Sequence, residues 1–389
     1  MDRFTFIIII FIIICFCSCN HNRWNQDYIF DKEIKIENPG DVNLTTPLST
    51  IVDKVEIVPL EFSEECMIQE AVKVRIWNKF IYIQDKISIF IFDINGNYQN
   101  KISRFGKGPE EYMRITDFDI NKQSGNIYIF DNMLGKLLEY YPNGTFKKEI
   151  INGLTGSTFT ANNGFFYTYM SQANNQSKYC LNIYDENGNK VKNFIKSNFY
   201  ETNITNKTIL AGTSYDGHIP FHMDLDYNIY LLENDQIKPY LKIDFGKYQV
   251  DYSFKEKILL NPESSWKLLL DNNLILGLNN VHILSNAVYF EYVYHMMQHK
   301  VIYIENSEKL YKNFVDDLSL LYFQPPKCQY NNNLVAIYPV TSITPNIDRI
   351  QSMIDKGEPI SEQGMKTLAL LENTNIHESN PFVIFYTIK

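Results

Sequence analysis

Phe80-Ile81-Tyr82-Ile83-Gln84-Asp85 and Asn126-Ile127-Tyr128-Ile129-Phe130-Asp131 are two versions of one phrase, their tyrosines 46 residues apart. Aromatic and β-branched residues of this kind suit a pleated, half-buried surface, so each reads as a short strand. Weaker versions follow at 164–167, 228–233, 287–291 and 333–337. Their central residues, together with the first two, are 82, 128, 166, 230, 289 and 336, in steps of 46, 38, 64, 59 and 47. A second marker trails the first: Asp93-Ile94-Asn95-Gly96, Tyr141-Pro142-Asn143-Gly144 and Asp185-Glu186-Asn187-Gly188, with glycines 48 and 44 apart. Asn-Gly between apolar runs is a hairpin turn, because both residues accept positive φ at low steric cost.

A strand-and-turn unit repeated every 40–50 residues predicts a β-propeller. One small sheet has two apolar faces and cannot bury them alone; a ring of sheets covers every face and leaves only short edges. Two stretches read as helical insertions: 253–273, with Pro262 after Asn261, and 345–372, with Ile347, Ile350 and Ile354 at helical spacing and Ser361 as a cap. The rest of 51–389 allots about 47 residues to each of six blades, and seven is compatible with the same count. Residues 51–60 and 381–388 both alternate as strands, so the N-terminal strand is expected to complete the last blade beside the C-terminal one.

The 389-residue chain holds 36 basic and 45 acidic side chains, a net charge of −9 that argues against a nucleic-acid partner. Phe4 to Phe16, apolar apart from Thr5, is too short to span a membrane and has the length of a secretory h-region. Phe16-Cys17-Ser18-Cys19 then resembles a lipobox, which makes Cys19 the lipidated residue and 1–19 a lipoprotein signal. Residues 20–50 read as a polar tether and 51–389 as the propeller. No acidic cluster follows Cys19, which favours an outer-membrane lipoprotein facing the periplasm over surface exposure. The mature chain keeps Cys66, Cys180 and Cys328, too few for a disulfide framework and best read as buried apolar residues.

The run Ile102-Ser-Arg-Phe-Gly-Lys-Gly-Pro-Glu-Glu-Tyr112, preceded by Phe92-Asp-Ile-Asn-Gly96, resembles the NHL-like six-bladed β-propeller lipoproteins of Bacteroidetes. Val58-Pro-Leu-Glu61, Lys238-Pro-Tyr-Leu-Lys-Ile-Asp-Phe-Gly246 and Asn380-Pro-Phe-Val-Ile-Phe-Tyr386 carry the resemblance across the domain. It implies the fold and the envelope address, and no particular biochemical activity.

The candidate ligand or inter-blade loop is Arg104, Gly106, Lys107, Gly108, Pro109, Glu110, Glu111 and Tyr112. It lacks the Gly-Lys-Ser/Thr end of a P-loop and the βαβ setting of a dinucleotide site. As a connection its glycines supply turns and Tyr112 packs; as a site, Arg104, Lys107 and Glu111 line one mouth of the central channel. His218/His222 and His295/His299 have metal-pair spacing but lie in strand-like text, where such pairs stand about 13 Å apart. Asp93-x-Asn95 is not a calcium loop, since Arg104 stands where the last acid is needed. The reading is a membrane-tethered binding or scaffold module for a protein, peptide or glycan, with no catalytic residues and no cofactor. The alternative is a calcium-dependent, lactonase-like hydrolase or lyase with acids such as Asp117, Asp119, Asp131, Asp224 and Asp226 gathered at the channel.

Overall fold

The computed structural model describes residues 28–41, 45–170, 179–196, 210, 212, 216–223, 225–251, 253–254, 257 and 265–389. The signal, Cys19, Asp224 and the Asn261-Pro262 cap lie outside these residues. Six small antiparallel sheets form a ring, a six-bladed β-propeller. From the axis outward, blade 1 is 73–77, 80–85, 88–93 and 98–102, and blade 2 is 117–120, 127–131, 136–140 and 146–152. Blade 3 is 158–162, 165–169, 179–185 and 190–196, and blade 5 is 278–283, 287–294, 297–304 and 309–312.

Blade 6 takes 326–330, 333–338 and 382–388 from the C-terminal part and closes with 52–59 from the N-terminal part. Val52–Pro59 runs antiparallel to Phe382–Ile388, from Phe382↔Pro59 to Ile388↔Val52, so the ring is fastened by backbone hydrogen bonds between chain regions far apart in sequence. This is the expected closure.

Blade 4 breaks the repeat. Its strands 219–221, 228–233 and 236–244 are antiparallel, and Leu210 bridges to the free side of Phe221, where an innermost strand belongs. The run at Tyr230 is therefore the third strand of its blade, whereas Tyr82, Tyr128, Phe166, Tyr289 and Ala336 sit in second strands. That phase shift accounts for the long step of 64. Outside 236–244 lies an added strand, Glu33–Lys35, which pairs in parallel. The assignment of 20–50 to a tether is thus corrected at its described residues, of which Glu33–Lys35 is a strand of the ring. Ile34 and Ile36 alternate into the core, and that burial fixes the segment to the ring.

Core clusters lie between blades rather than within one sheet. Ile81, Ile83, Phe90 and Phe92 of blade 1 pack against Val335, Val383 and Phe385 of blade 6; Tyr167 and Leu181 of blade 3 pack against Phe221 and Leu232 of blade 4. The Asn-Gly turns are third-to-fourth turns, with Gly96 at φ 92°, Gly144 at 84° and Gly188 at 84°. Cys66, Cys180 and Cys328 are buried.

First-to-second and third-to-fourth turns share one face of the ring, here the lower, and there the connections are short. Second-to-third turns and blade-to-blade connections share the upper face. That face carries 60–72, 103–116, the described residues of 245–277, 313–325 and 339–381. The helical expectation is met by Ser265–Asp271 (α1), Ile343–Asp355 (α2) and Glu362–Glu372 (α3), all in these upper connections. Ser361 caps α3 by accepting the Gly364 N–H at 2.9 Å. In α2 the buried side is Ile343, Asn346 and Ile350, and Ile354 is exposed. Among the described residues no helix is long and apolar enough to cross a membrane.

Candidate functional site

The innermost strands of blades 1 to 3 place alternating polar side chains toward the axis: Lys73 and Arg75, Asp117 and Asp119, Thr158 and Thr160. Period-two alternation puts each pair on one side of its strand. Arg75 Nε donates to Asp119 Oδ1 at 3.0 Å, and Lys73 Nζ donates to Asp117 Oδ1. Asp119 Oδ2 accepts from Thr160 Oγ1 at 2.5 Å and from the Ala161 N–H at 3.0 Å; Asp117 Oδ2 accepts from the Phe159 N–H at 2.8 Å. Two carboxylates of blade 2 thus join the cations of blade 1 to the backbone of blade 3.

Burial raises the Asp119 pKa, but Arg75 and Lys73, with the hydrogen bonds from Thr160 and Ala161, outweigh it and hold the carboxyl below its ordinary value. Burial and the neighbouring Arg75 push the Lys73 ammonium down, against the pull of Asp117. Gly212, at φ 107°, presses on the same guanidinium: a Cβ there would lie 3.2 Å from Arg75 Cζ. Leu210 is bridged to Phe221 of blade 4. Among the described residues the axial side of blades 1 to 3 is therefore a charged lattice in which Asp117 and Asp119 are already paired, with Gly212 against Arg75.

A second polar cluster lies in blade 5. A bulge in its inner strand sets Asn280 at φ 50°. Asn280 Nδ2 donates to Glu291 Oε1 at 2.9 Å and to the Pro326 carbonyl at 2.9 Å, and its Oδ1 lies 2.9 Å from His282 Nε2. Tyr289 OH and the Gln298 amide complete the shell around Glu291. Burial raises the Glu291 pKa, and burial with Arg75 drives His282 down to about 3. Burial also pushes the Cys328 thiol up to about 11, so it stays protonated at neutral pH.

The loop at 104–112 is a wedge between blades 1 and 2. Tyr112 is fully buried and donates to the Ile87 carbonyl at 2.8 Å. Glu111 accepts from the Gly108 N–H at 2.8 Å and fills the space beside Gly106, where a Cβ would lie 1.9 Å from Glu111 Oε2. Tyr140 OH donates to the Glu110 carbonyl and Lys136 Nζ to that of Gly108, at 2.7 and 3.0 Å. All these contacts are to the turns and outer strands of blades 1 and 2, none to the axial lattice. Arg104, Phe105, Lys107 and Glu110 stay exposed on the upper face. Pro109 is exposed on the same turn.

The acids considered for calcium have other partners. Asp131 accepts the Met113 and Met133 N–H groups at 2.7 and 2.8 Å, and Asp226 accepts from Tyr227 N–H, Asn228 and Tyr230 OH. Among the described residues no three His, Cys, Asp or Glu side chains converge as a metal set. His222 and His299 are buried, and His299 stacks on Tyr292 with ring centroids 4.9 Å apart. Sequence reasoning missed Arg75, His282 and Glu291. The first carried a signal: Lys73/Arg75 and Asp117/Asp119 stand 44 residues apart, and Asp119 and Thr160 are 41 apart.

A family model described as Domain of unknown function (DUF4934) matches residues 29–387. No curated protein matches the chain. Among solved structures, a Bacteroides fragilis protein designated as exported superposes with a TM-score of 0.74 at 17% identity, covering 93% of this chain and 100% of its own. A member of the DUF4221 family from Bacteroides vulgatus has a TM-score of 0.49 at 11% identity, covering 87% and 97%. Virginiamycin B lyase from Staphylococcus aureus has 0.37 at 11%, covering 67% and 74%.

Proposed function

This chain belongs to the DUF4934 family, and we propose that it works as a binding or scaffold propeller of the cell envelope, of the NHL-like lipoprotein kind, tethered by lipid on Cys19. The partner is a protein, peptide or glycan. The observation that carries the reading is the contrast between the two faces: the lower is short turns, whereas the upper is built from long connections with exposed side chains. Phe105, 57% exposed, stands there between Arg104 and Lys107 in sequence, on a base made rigid by Tyr112 and Glu111. An aromatic side chain with a guanidinium beside it is a favourable anchor for a partner. At the axis, by contrast, Asp117 and Asp119 are already paired with Lys73 and Arg75.

The test is site-specific photo-crosslinking in the native cell. A crosslinker at Phe105 or Lys107 is expected to give a discrete adduct, and one at Lys79 on the lower face none. Adducts from Lys79 alone would reverse the assignment. Calorimetric titration with calcium separates the hydrolase alternative: stoichiometric binding that is lost in Asp119→Asn would favour it.

A further inference from the structure

We propose that a cleft on the upper edge of blade 5, between residues 38–41 and the pair Tyr248 and Tyr294, binds a neutral sugar unit. The site is separate from the Phe105 loop and does not depend on that loop meeting a partner. Among the described residues, Asn38, Pro39, Gly40 and Asp41 form one wall and Tyr248 and Tyr294 the other, around an open depression of about 310 Å³. Ligand clefts begin at roughly 300 Å³, so this one suits a small ring rather than a long chain. Both walls are fixed by the fold. The N-terminal segment leaves blade 4 after Glu33–Lys35 and crosses to blade 5, where Tyr292 OH donates to the Pro39 carbonyl at 2.8 Å. Lys312 Nζ donates to the Asn38 carbonyl at 3.1 Å, and Asn313 Nδ2 to that of Asp41 at 2.9 Å. Opposite them, the Tyr248 carbonyl accepts the Ile275 N–H at 2.9 Å. The Tyr248 and Tyr294 rings meet edge to face, centroids 5.6 Å apart at 80°.

Gly40 lets the walls come this close, since a Cβ there would lie 2.8 Å from Tyr294 Cε1. The fold leaves the polar groups of the cleft uncommitted. The hydrogen bonds of Asn38 use its carbonyl, and its side-chain amide has no partner in the protein. The hydroxyls of Tyr248 and Tyr294 have none either. Burial raises the Tyr294 pKa, so that phenol stays a neutral donor. The cleft thus offers two phenol hydroxyls, an amide that donates and accepts, and the Asp41 carboxylate as acceptor, all beside aromatic rings. A sugar presents the matching surface: a C–H face for the rings and hydroxyls for the amide, phenols and acid. Lys312 and Asp41 offset each other's charge beside the cleft, so neither ion is left to select a charged ligand.

The test titrates the full chain, purified in a detergent without a sugar headgroup, with the methyl glycosides of glucose, galactose, mannose and N-acetylglucosamine. Binding is read by saturation-transfer NMR, and at least one glycoside is expected to bind saturably. Asn38→Ala, Tyr248→Phe and Tyr294→Phe remove groups the fold does not use, so the circular dichroism should not change. Each is expected to weaken that binding about fivefold, the worth of one ordinary hydrogen bond. Tyr141→Phe, which removes the hydroxyl of an exposed tyrosine on the lower face of blade 2, is expected to leave it as it is. No saturable binding of any of these glycosides overturns the proposal, and so does binding that is equal in the wild type and the cleft variants. Tighter binding of tetramethylammonium than of any glycoside overturns it as well, since the tyrosines would then form a cation site. None of these outcomes bears on the Phe105 loop, which the crosslinking experiment decides.

Discussion

Gly96 shows how much one residue can be required to do. Its φ of 92° is left-handed, and an added Cβ would meet the Pro59 carbonyl oxygen at 2.1 Å. Gly96→Ala therefore combines backbone strain with a clash against the closing strand. We expect a loss of roughly 2 kcal/mol or more, read as a lower urea midpoint. Asp119 is tied to Arg75 in a buried pair, so Asp119→Ala leaves a guanidinium without its counter-charge and should cost about 3–5 kcal/mol. The paired replacement Arg75→Met with Asp119→Leu should recover much of that loss in the same melt.

His282 gives a pH prediction with a definite sign. Its folded pKa is near 3, against an ordinary 6.5, so below pH 6.5 the unfolded chain takes up a proton that the folded chain refuses. Stability should fall as the pH drops from 6.5 toward 3, by about 2–3 kcal/mol at pH 4.5, and be flat above 6.5. Glu291, with a raised pKa, acts in the opposite sense: burial penalises its ionised form, and acid relieves that penalty. Comparing wild type with His282→Asn across this window isolates the histidine; an unchanged slope would refute its part.

At the scale of elements, the repeated phrase and its acids have a common explanation. Asp85 ends the second strand of blade 1 and accepts the Gln69 and Glu70 N–H groups at 3.1 Å each. Asp131 does the same for the connection into blade 2. Asp93 and Asp185 each accept two backbone N–H groups of their own turns. Asp93 and Asp185 are legible as turn residues because their partners are local; Asp85 and Asp131 are not, because theirs lie 15 to 18 residues away in the blade connections. Nor is the added strand Glu33–Lys35, since three residues with one buried isoleucine carry no periodicity to read. Ile34→Asp should release that strand at a cost of roughly 2–3 kcal/mol, seen as faster amide exchange at Lys242 and Asp244 with blades 1 and 2 unaffected.

The whole molecule is held by its fastening. Val55 and Val58 face the core from Val52–Pro59, the strand that completes blade 6. Val55→Asp should lower stability by about 3 kcal/mol or more and broaden the unfolding transition, because the last blade then opens before the others. Cys19→Ala should move the protein from membrane to soluble fractions.

The sequence by itself determined the unit, its turns and the closing strand. Alternation, Asn-Gly and hydrophobic runs act between near neighbours, and a two-faced sheet must be covered by another like it. Only the tertiary structure decided which alternating polar residues meet at the axis, that blade 4 is out of phase, that the N-terminal segment joins the ring and that His282 and Glu291 are buried. In a propeller both faces of every blade are covered, so alternation shows that a strand exists without saying where its polar side chains lead. Their partners are supplied by other blades, and burial within the ring sets their charge.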